Sequence, residues 1–212
     1  MTDAKDSPSA GGPAAMLLEV DHRVKNNLQL IASLILLQSR HAQDQAARAA
    51  LKTVLERVTA VATVHRRLFQ GDPLTFDVAD FMRDLTGDLA AAAGRDDLQI
   101  VLELDAVAIP ASSAATFALV ANELLGNALK HAFPPGRSGR SGRIGVSLID
   151  HGETLVLTVV DDGVGMSGSA PGFGSTIVKL LCQQLHAELE VVDAAPGVRV
   201  TVTIPTTRPA TS

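Results

Sequence analysis

Tryptophan and tyrosine are absent from the 212 residues, and the aromatic complement is 6 phenylalanines. With so few rings, a surface that stacks nucleic-acid bases on aromatic side chains is a poor fit. Positive charge is also scarce: 18 Lys and Arg stand against 23 Asp and Glu, a net charge of −5. That balance has the wrong sign for neutralising a phosphate backbone. The single cysteine, Cys182, cannot form an internal disulfide and suits a reducing compartment. No apolar run approaches the roughly 18 residues that span a bilayer. The opening MTDAKDSPSAGGP is small, polar and rich in helix breakers, unlike the apolar centre of a secretory signal. Nucleic-acid binding, a disulfide scaffold and membrane insertion are disfavoured, and a cytoplasmic protein is expected. Residues 1–13 and 206–212 read as disordered tails.

What is present is a hydrophobic content of 46%, enough to bury a core. Residues 14–70 carry two helical periodicities around a break at 41–45. At 100° per residue, Leu17, Val20, Leu28, Ile31, Ile35 and Gln38 fall within about 40° of Val24. In the second run Leu51, Val54, Val58, Ala62, His65 and Phe69 share a face. This pattern predicts a helical hairpin whose seams pack against a copy of itself or against other helices. The triplet Gly71-Asp72-Pro73 ends the unit.

Residues 74–205 alternate differently. Helices are expected at 78–93, 110–133 and 175–185, and strands at 98–104, 144–149, 154–160, 189–192 and 199–204. The fold class is therefore α+β, a two-helix hairpin followed by an α/β two-layer sandwich.

Four clusters carry possible chemistry. His22 lies about 160° from the first seam, with Asn26, Gln29 and Ser33 near it. An exposed histidine on a rigid helix can act as a nucleophile, with the adjacent Asp21 holding its tautomer or accepting its proton. An ordinary solvated helix face looks the same, and His65, on an apolar face, reads as packing. In NELLGNALKH, Glu123, Asn127 and Lys130 stand at i, i+4 and i+7, a stripe of carboxylate, amide and ammonium. An amide oxygen suits Mg²⁺ on a nucleotide, and a lysine one turn away can neutralise phosphate. The alternative is a plain surface pattern.

Further along, the strand ending Val159-Val160 runs into Asp161-Asp162-Gly163-Val164-Gly165. There Asp161 can accept a hydrogen bond from an exocyclic amine, and the glycines allow close approach of a ligand to backbone. Finally Gly172, Gly174, Ser175 and Thr176 precede a helix whose amides and positive end suit phosphate. A simple cap by Ser175 is the competing reading. The stretch lacks the ending of a Walker A loop and the spacing of a Rossmann fingerprint.

The order of these clusters resembles the core of bacterial sensor histidine kinases: a helical-hairpin dimerisation and phosphotransfer domain, then a Bergerat-type ATP-binding domain. The run HRVKNNLQLIASLILLQSR is similar to the phosphoacceptor box of the subfamily related to the HWE kinases, and NELLGNALKHAF to its N box. The resemblance implies domains at 14–70 and 74–205. It implies that His22 takes the γ-phosphoryl group of ATP and passes it to a response-regulator aspartate. By the same likeness Asn127 binds Mg²⁺, Lys130 approaches phosphate, and Glu123 occupies the position that activates water or a nucleophile. His131 belongs to the nucleotide-binding box. Asp161 reads the adenine amine, and Gly163 and Gly165 form the following glycine box. Gly172 and Gly174, with Ser175 and Thr176, form the second.

Two features depart from the family pattern. The segment 166–172, which would cover the nucleotide, is short, and Val198 stands after Gly197 where Thr is common. The expected partners are a receiver protein docking on the polar face of His22, Asn26 and Gln29 beside Arg23 and Lys25, and a second copy through the hairpin. A separate sensory protein would supply the input. Two other readings share parts of this pattern: a phosphotransfer module with a vestigial nucleotide domain, and a serine kinase of the anti-sigma type. The latter leaves the His22 box unexplained.

Overall fold

The computed structural model describes residues 13–70, 74–134, 141–165 and 173–206. The chain divides into two compact units, Met1–Phe69 and Gln70–Ser212.

The first unit is two long helices, α1 (Pro13–His41) and α2 (Gln45–Gln70). Asp44 makes the break and starts the second helix: its carboxylate accepts hydrogen bonds from Ala46 N (3.3 Å) and Ala47 N (3.1 Å), satisfying two orphan amides. Arg48 returns to the loop, its Nε donating to Ala42 O at 2.8 Å. Arg40 and His41 place basic groups in the last turn of α1, where they complement the helix dipole.

The inward stripe of α1 is rotated from the expected one. Val24, Leu28 and Ile35 are half-buried as expected, joined by Ala32 and Ser39, whereas Ile31 and Gln38 are exposed. Leu30, Leu34 and Leu37 are exposed as well, so the helix carries a second apolar stripe. On α2, Ala60 and Val64 are buried, Val54 is exposed, and Leu51, Val58, Ala62 and His65 are half-buried. The side chains of Leu17, Val20 and Phe69 lie outside the described residues.

The second unit is a five-stranded mixed sheet with helices against it. The strands are β2 (Leu98–Leu104), β4 (Gly142–Asp150), β5 (Thr154–Asp161), β6 (Glu188–Asp193) and β7 (Val198–Pro205), in the order β2-β4-β5-β7-β6. Only the β2–β4 pair is parallel, and the chain between those strands forms α4 (Ala111–His131), as a parallel connection requires. Helix α3 (Val78–Ala93) lies against β2, α4 against β5, and α5 (Phe173–Gln184) against β6. The α+β expectation holds. Two three-residue strands, β1 (Thr75–Asp77) and β3 (Ala108–Pro110), pair antiparallel and lead into α3 and α4. They are too short to show a periodicity.

Strict alternation builds the sheet's inner face. Ile144, Val146 and Leu148 of β4 stand opposite Asp161, Val159 and Leu157 of β5, and β7 continues the rows with Val200 and Val202. Against this face α4 buries Phe117, Val120, Ala121, Leu124, Leu125 and Ala128. Phe81 of α3 bridges two further rings, with centroids 5.4 Å from Phe76 and 6.5 Å from Phe117. Aromatic pairs at such distances add to plain area burial.

Phe117 is fully buried (0% exposed), so Phe117→Ala should destabilise the second unit by about 3–5 kcal/mol. Urea unfolding followed by circular dichroism measures this. A cost below about 1 kcal/mol, the scale of a surface substitution, would show that the ring does not hold the helices to the sheet.

Candidate functional site

The inward stripe of β5 runs Leu155, Leu157, Val159 and then Asp161, all buried. The alternation that packs three apolar side chains thus turns a carboxylate inward at the strand's end, 7% exposed. Its Oδ1 accepts from Gly163 N at 3.0 Å and from Val198 N at 3.2 Å. One oxygen therefore ties the turn after β5 to the start of β7. Both bonds fall on Oδ1, and Asp161 is among the residues that line the adjoining cavity. Burial pushes the Asp161 carboxyl above the ordinary carboxylate range, against the two amides, which favour the ionised form; the neighbouring Asp162 adds to the rise.

The glycines around this carboxylate are steric requirements. A Cβ on Gly163 would collide with the carbonyl of Ala132, at the end of α4, and one on Gly197 would collide with the carbonyl of Asp161. Gly197 also has φ +91°, a conformation that disfavours any other residue. Val164 N completes the turn by donating to Ala132 O at 3.0 Å.

Between α4 and the inner ends of β5 and β7 lies a cavity of about 140 Å³, lined by residues that include Leu124, Asn127, His131, Asp161, Gly165 and Val198. A dry cavity of about 150 Å³ holds a benzene ring, so the space is of the size taken by a flat aromatic group. Apolar side chains of Leu124, Val159, Val198 and Val200 offer the ring's faces a dry wall. Asp161 offers a single charged acceptor to an amine on its edge. At the α4 side stand Asn127, half-buried, and His131. This donor set fits an adenine nucleotide.

It also fits Mg²⁺ of the kind carried on phosphates. The described residues contain no cluster of three acidic, His or Cys ligands, and Mg²⁺ commonly keeps its waters and takes few protein oxygens. The Asn127 amide oxygen can supply one.

Several expected site residues thus converge: Asn127, His131, Asp161 and Gly165 share one cavity, with Gly163 beside it. Glu123 is buried, 6% exposed, one helical turn before Asn127, and Lys130 is exposed on the same helix; neither lines the cavity. Gly174 and Ser175 lie in the first turn of α5, which begins at Phe173. Ser175 is therefore inside the helix and not its cap, and Thr176 is exposed. Gly172 falls outside the described residues. His22 and Asp21 lie on α1, in the first unit, and their side chains fall outside the description. Sequence reasoning noted Gly197 and Val198 only as a departure from the family pattern and passed over the apolar wall and the steric need for Gly197. The alternation of β5 and β7 and the Pro196-Gly197 pair before the last strand were the available signals.

Comparison with known proteins supports both halves of the chain. A family model described as "Histidine kinase" matches residues 19–93, and one described as "Histidine kinase-, DNA gyrase B-, and HSP90-like ATPase" matches residues 113–208. Blue-light-activated histidine kinase 2 of Erythrobacter litoralis is 32% identical over 203 residues, covering 89% of this chain and 56% of that protein. Sensor histidine kinase PdtaS of Mycobacterium tuberculosis is 29% identical over 204 residues, covering 92% of this chain and 40% of its own length. The chain thus spans about half the length of these curated relatives. Among solved structures, the histidine kinase domain of the Erythrobacter litoralis EL346 blue-light activated histidine kinase superposes with a TM-score of 0.67. It is 30% identical, and the match covers 90% of this chain and 91% of that domain.

Asp161→Asn keeps an oxygen for the two amides but replaces the second acceptor by a donor. Affinity for ADP should fall by about ten- to a hundredfold, the loss of one charged hydrogen bond, and discrimination against guanine nucleotides should shrink. The raised pKa adds a signed test. Protonation of Asp161 stabilises the fold below the carboxyl's unfolded pKa, and this contribution is lost as pH rises through the raised folded value. Asp161→Asn should therefore gain in relative stability from acid to neutral pH. Calorimetry with ADP and GDP, and thermal unfolding across pH, measure both effects. An unchanged ADP/GDP preference would reduce Asp161 to a turn residue.

Proposed function

Because the chain belongs to the histidine kinase family, we propose that it is a kinase core that phosphorylates itself on His22 from ATP and hands the phosphoryl group to a response-regulator aspartate. The observation that carries the proposal is the convergence of Asn127, His131, Asp161 and Gly165 on one cavity of about 140 Å³, in a chain whose first helix bears His22. Bound Mg·ATP would supply the γ-phosphoryl group with its charge already partly neutralised.

The residues of this chain then have distinct tasks. Asp161 accepts the adenine amine, and the valine and leucine wall excludes water from the ring. Asn127 gives an amide oxygen to the metal, Lys130 counters phosphate charge, and the N-terminal amides of α5, around Gly174, Ser175 and Thr176, face the phosphates. A ring nitrogen of His22 attacks the γ-phosphorus: the N–P bond forms as the bond to the β-phosphate oxygen breaks, and ADP leaves with that electron pair. The imidazole proton passes to a carboxylate, for which Asp21 and Glu123 are the candidates. In the second step a receiver aspartate attacks the phosphorus of phosphohistidine, the N–P bond breaks, and the proton taken up by the carboxylate returns to the ring, restoring neutral His22.

The surroundings of His22 suit a transient partner. Arg23, Lys25, Asn26 and Gln29 are exposed, a polar and locally basic face complementary to an acidic receiver pocket. The exposed stripe of Leu30, Leu34 and Leu37 is the surface proposed to pair with a second copy, since such a stripe is costly to leave in water. No described helix is long and apolar enough to cross a membrane, and work in the cytoplasm, with input from a separate sensory protein, is part of the proposal. The intact cavity disfavours a vestigial nucleotide domain, and a serine kinase would leave the His22 box without a task.

Incubation with γ-labelled ATP tests the reading. Label should appear on the protein, be lost in acid, survive alkali, and vanish in His22→Ala. Asn127→Ala should abolish Mg²⁺-dependent nucleotide binding while changing stability by less than about 1 kcal/mol, as expected for a residue outside the core. Acid-stable label, or label that persists in His22→Ala, would overturn the histidine assignment.

A further inference from the structure

The end of α4 is held from two sides, and one of the holds comes from far along the chain. Helix α4 closes without a left-handed cap: Ala132 stays right-handed, with φ −68° and ψ −30°. The carbonyls that follow must therefore find donors elsewhere. Ala132 O takes Val164 N of the glycine turn. The next carbonyl, Phe133 O, takes Nη1 of Arg95 at 2.6 Å, across 38 positions of sequence. Pro134 follows and ends the helical path.

Arg95 is itself built into place. Gly94, with φ +56°, closes α3 and donates back to Ala90 and Ala91, which turns the chain so that Arg95 stands at the head of the α3–β2 loop. Asp97 then grips the guanidinium at two points, Nε–Oδ1 at 3.0 Å and Nη2–Oδ2 at 2.6 Å. The backbone of Asp97 accepts from Gly142 N at 2.8 Å, and the Phe133 ring lies over Gly142, where any Cβ would collide with it. A bidentate pair of this geometry fixes a guanidinium's direction better than a point charge would.

The geometry points to Arg95 as a positioning residue for the nucleotide base, acting through Phe133 O on the adjacent peptide that anchors the Gly163–Val164 turn. The chain of contacts is short: Arg95 to Phe133 O, Ala132 O to Val164 N, Gly163 N to Asp161 Oδ1. Each link is a hydrogen bond, and the last one sets where the Asp161 carboxylate meets the base. Arg95 touches no part of the cavity, so its effect would be on the aim of Asp161. This inference rests on the adenine-nucleotide reading of the cavity.

Its test is calorimetric titration of the full chain with ADP and with inosine diphosphate, whose 6-oxo group cannot donate to a carboxylate. Arg95→Met keeps the aliphatic stem and removes the donor. It should weaken ADP by about tenfold, one hydrogen bond to a charged group, and weaken inosine diphosphate much less, so that the ratio of the two affinities falls. Arg95→Lys, which keeps a cationic donor but loses the guanidinium fork, should recover part of the ratio. Arg83→Met removes another exposed ion pair of α3, that with Asp80, and should leave both affinities alone. If Arg95→Met fails to fold, Arg95→Lys and Asp97→Asn carry the same comparison. Unchanged ADP affinity, or equal losses for both nucleotides, would overturn the proposal. Failure of the unaltered protein to bind ADP would instead bring down the nucleotide reading itself, and this inference with it.

Discussion

One carboxylate oxygen holds the second unit's site together. Asp161 Oδ1 accepts the amides of Gly163 and Val198, so the turn after β5 and the opening of β7 have a common anchor. Remove it and two buried or half-buried donors lose their partner, which is costlier than never having formed the bonds. The price is a charge in a place that disfavours it, visible in the raised pKa. Such a residue contributes little to a core, and a carboxylate held at the edge of a cavity in this way is well placed to meet a ligand.

The glycines follow from that anchor. Gly163 must pass the carbonyl of Ala132, and Gly197 must pass the carbonyl of Asp161 itself. The turn can then press against the end of α4, bringing Gly165 and the α4 residues Asn127 and His131 to one cavity. The apolar wall opposite is the ordinary inner face of β5 and β7 carried to the strands' ends. A cavity with an apolar wall and one charged edge thus needs few special residues, because the sheet's alternation supplies most of it.

Much of this was legible in the chain itself. Helix 78–93 matches α3 to the residue, and the five longer strands fall where alternating apolar residues place them. The three-residue strands β1 and β3 were not legible, since their pairing is a long-range event with no local period. The hairpin shows a different shortfall. A wheel centred on Val24 put Ile31 and Gln38 inward, but α1 has two apolar stripes, and helical periodicity alone does not say which one the protein covers. The structure half-buries Ala32 and Ser39 instead, leaving Leu30 and Leu34 outside. In the site, residues with distinctive chemistry were found by motif, while Val159 and Val200 looked like any strand. Arg95 was invisible, because nothing local marks a partner 38 positions away.

The most direct measurement is an NMR titration of the Gly163 and Val198 amide protons in the nucleotide-free protein. If Asp161 Oδ1 bonds both, the two resonances should shift together as one group ionises, with a single midpoint above the ordinary aspartate value of about 3.9. Excess ADP should perturb both amides at neutral pH, and inosine diphosphate should do so less. Separate midpoints, or a shared midpoint at or below the ordinary value, would contradict a buried carboxylate that anchors both strands and reads the base.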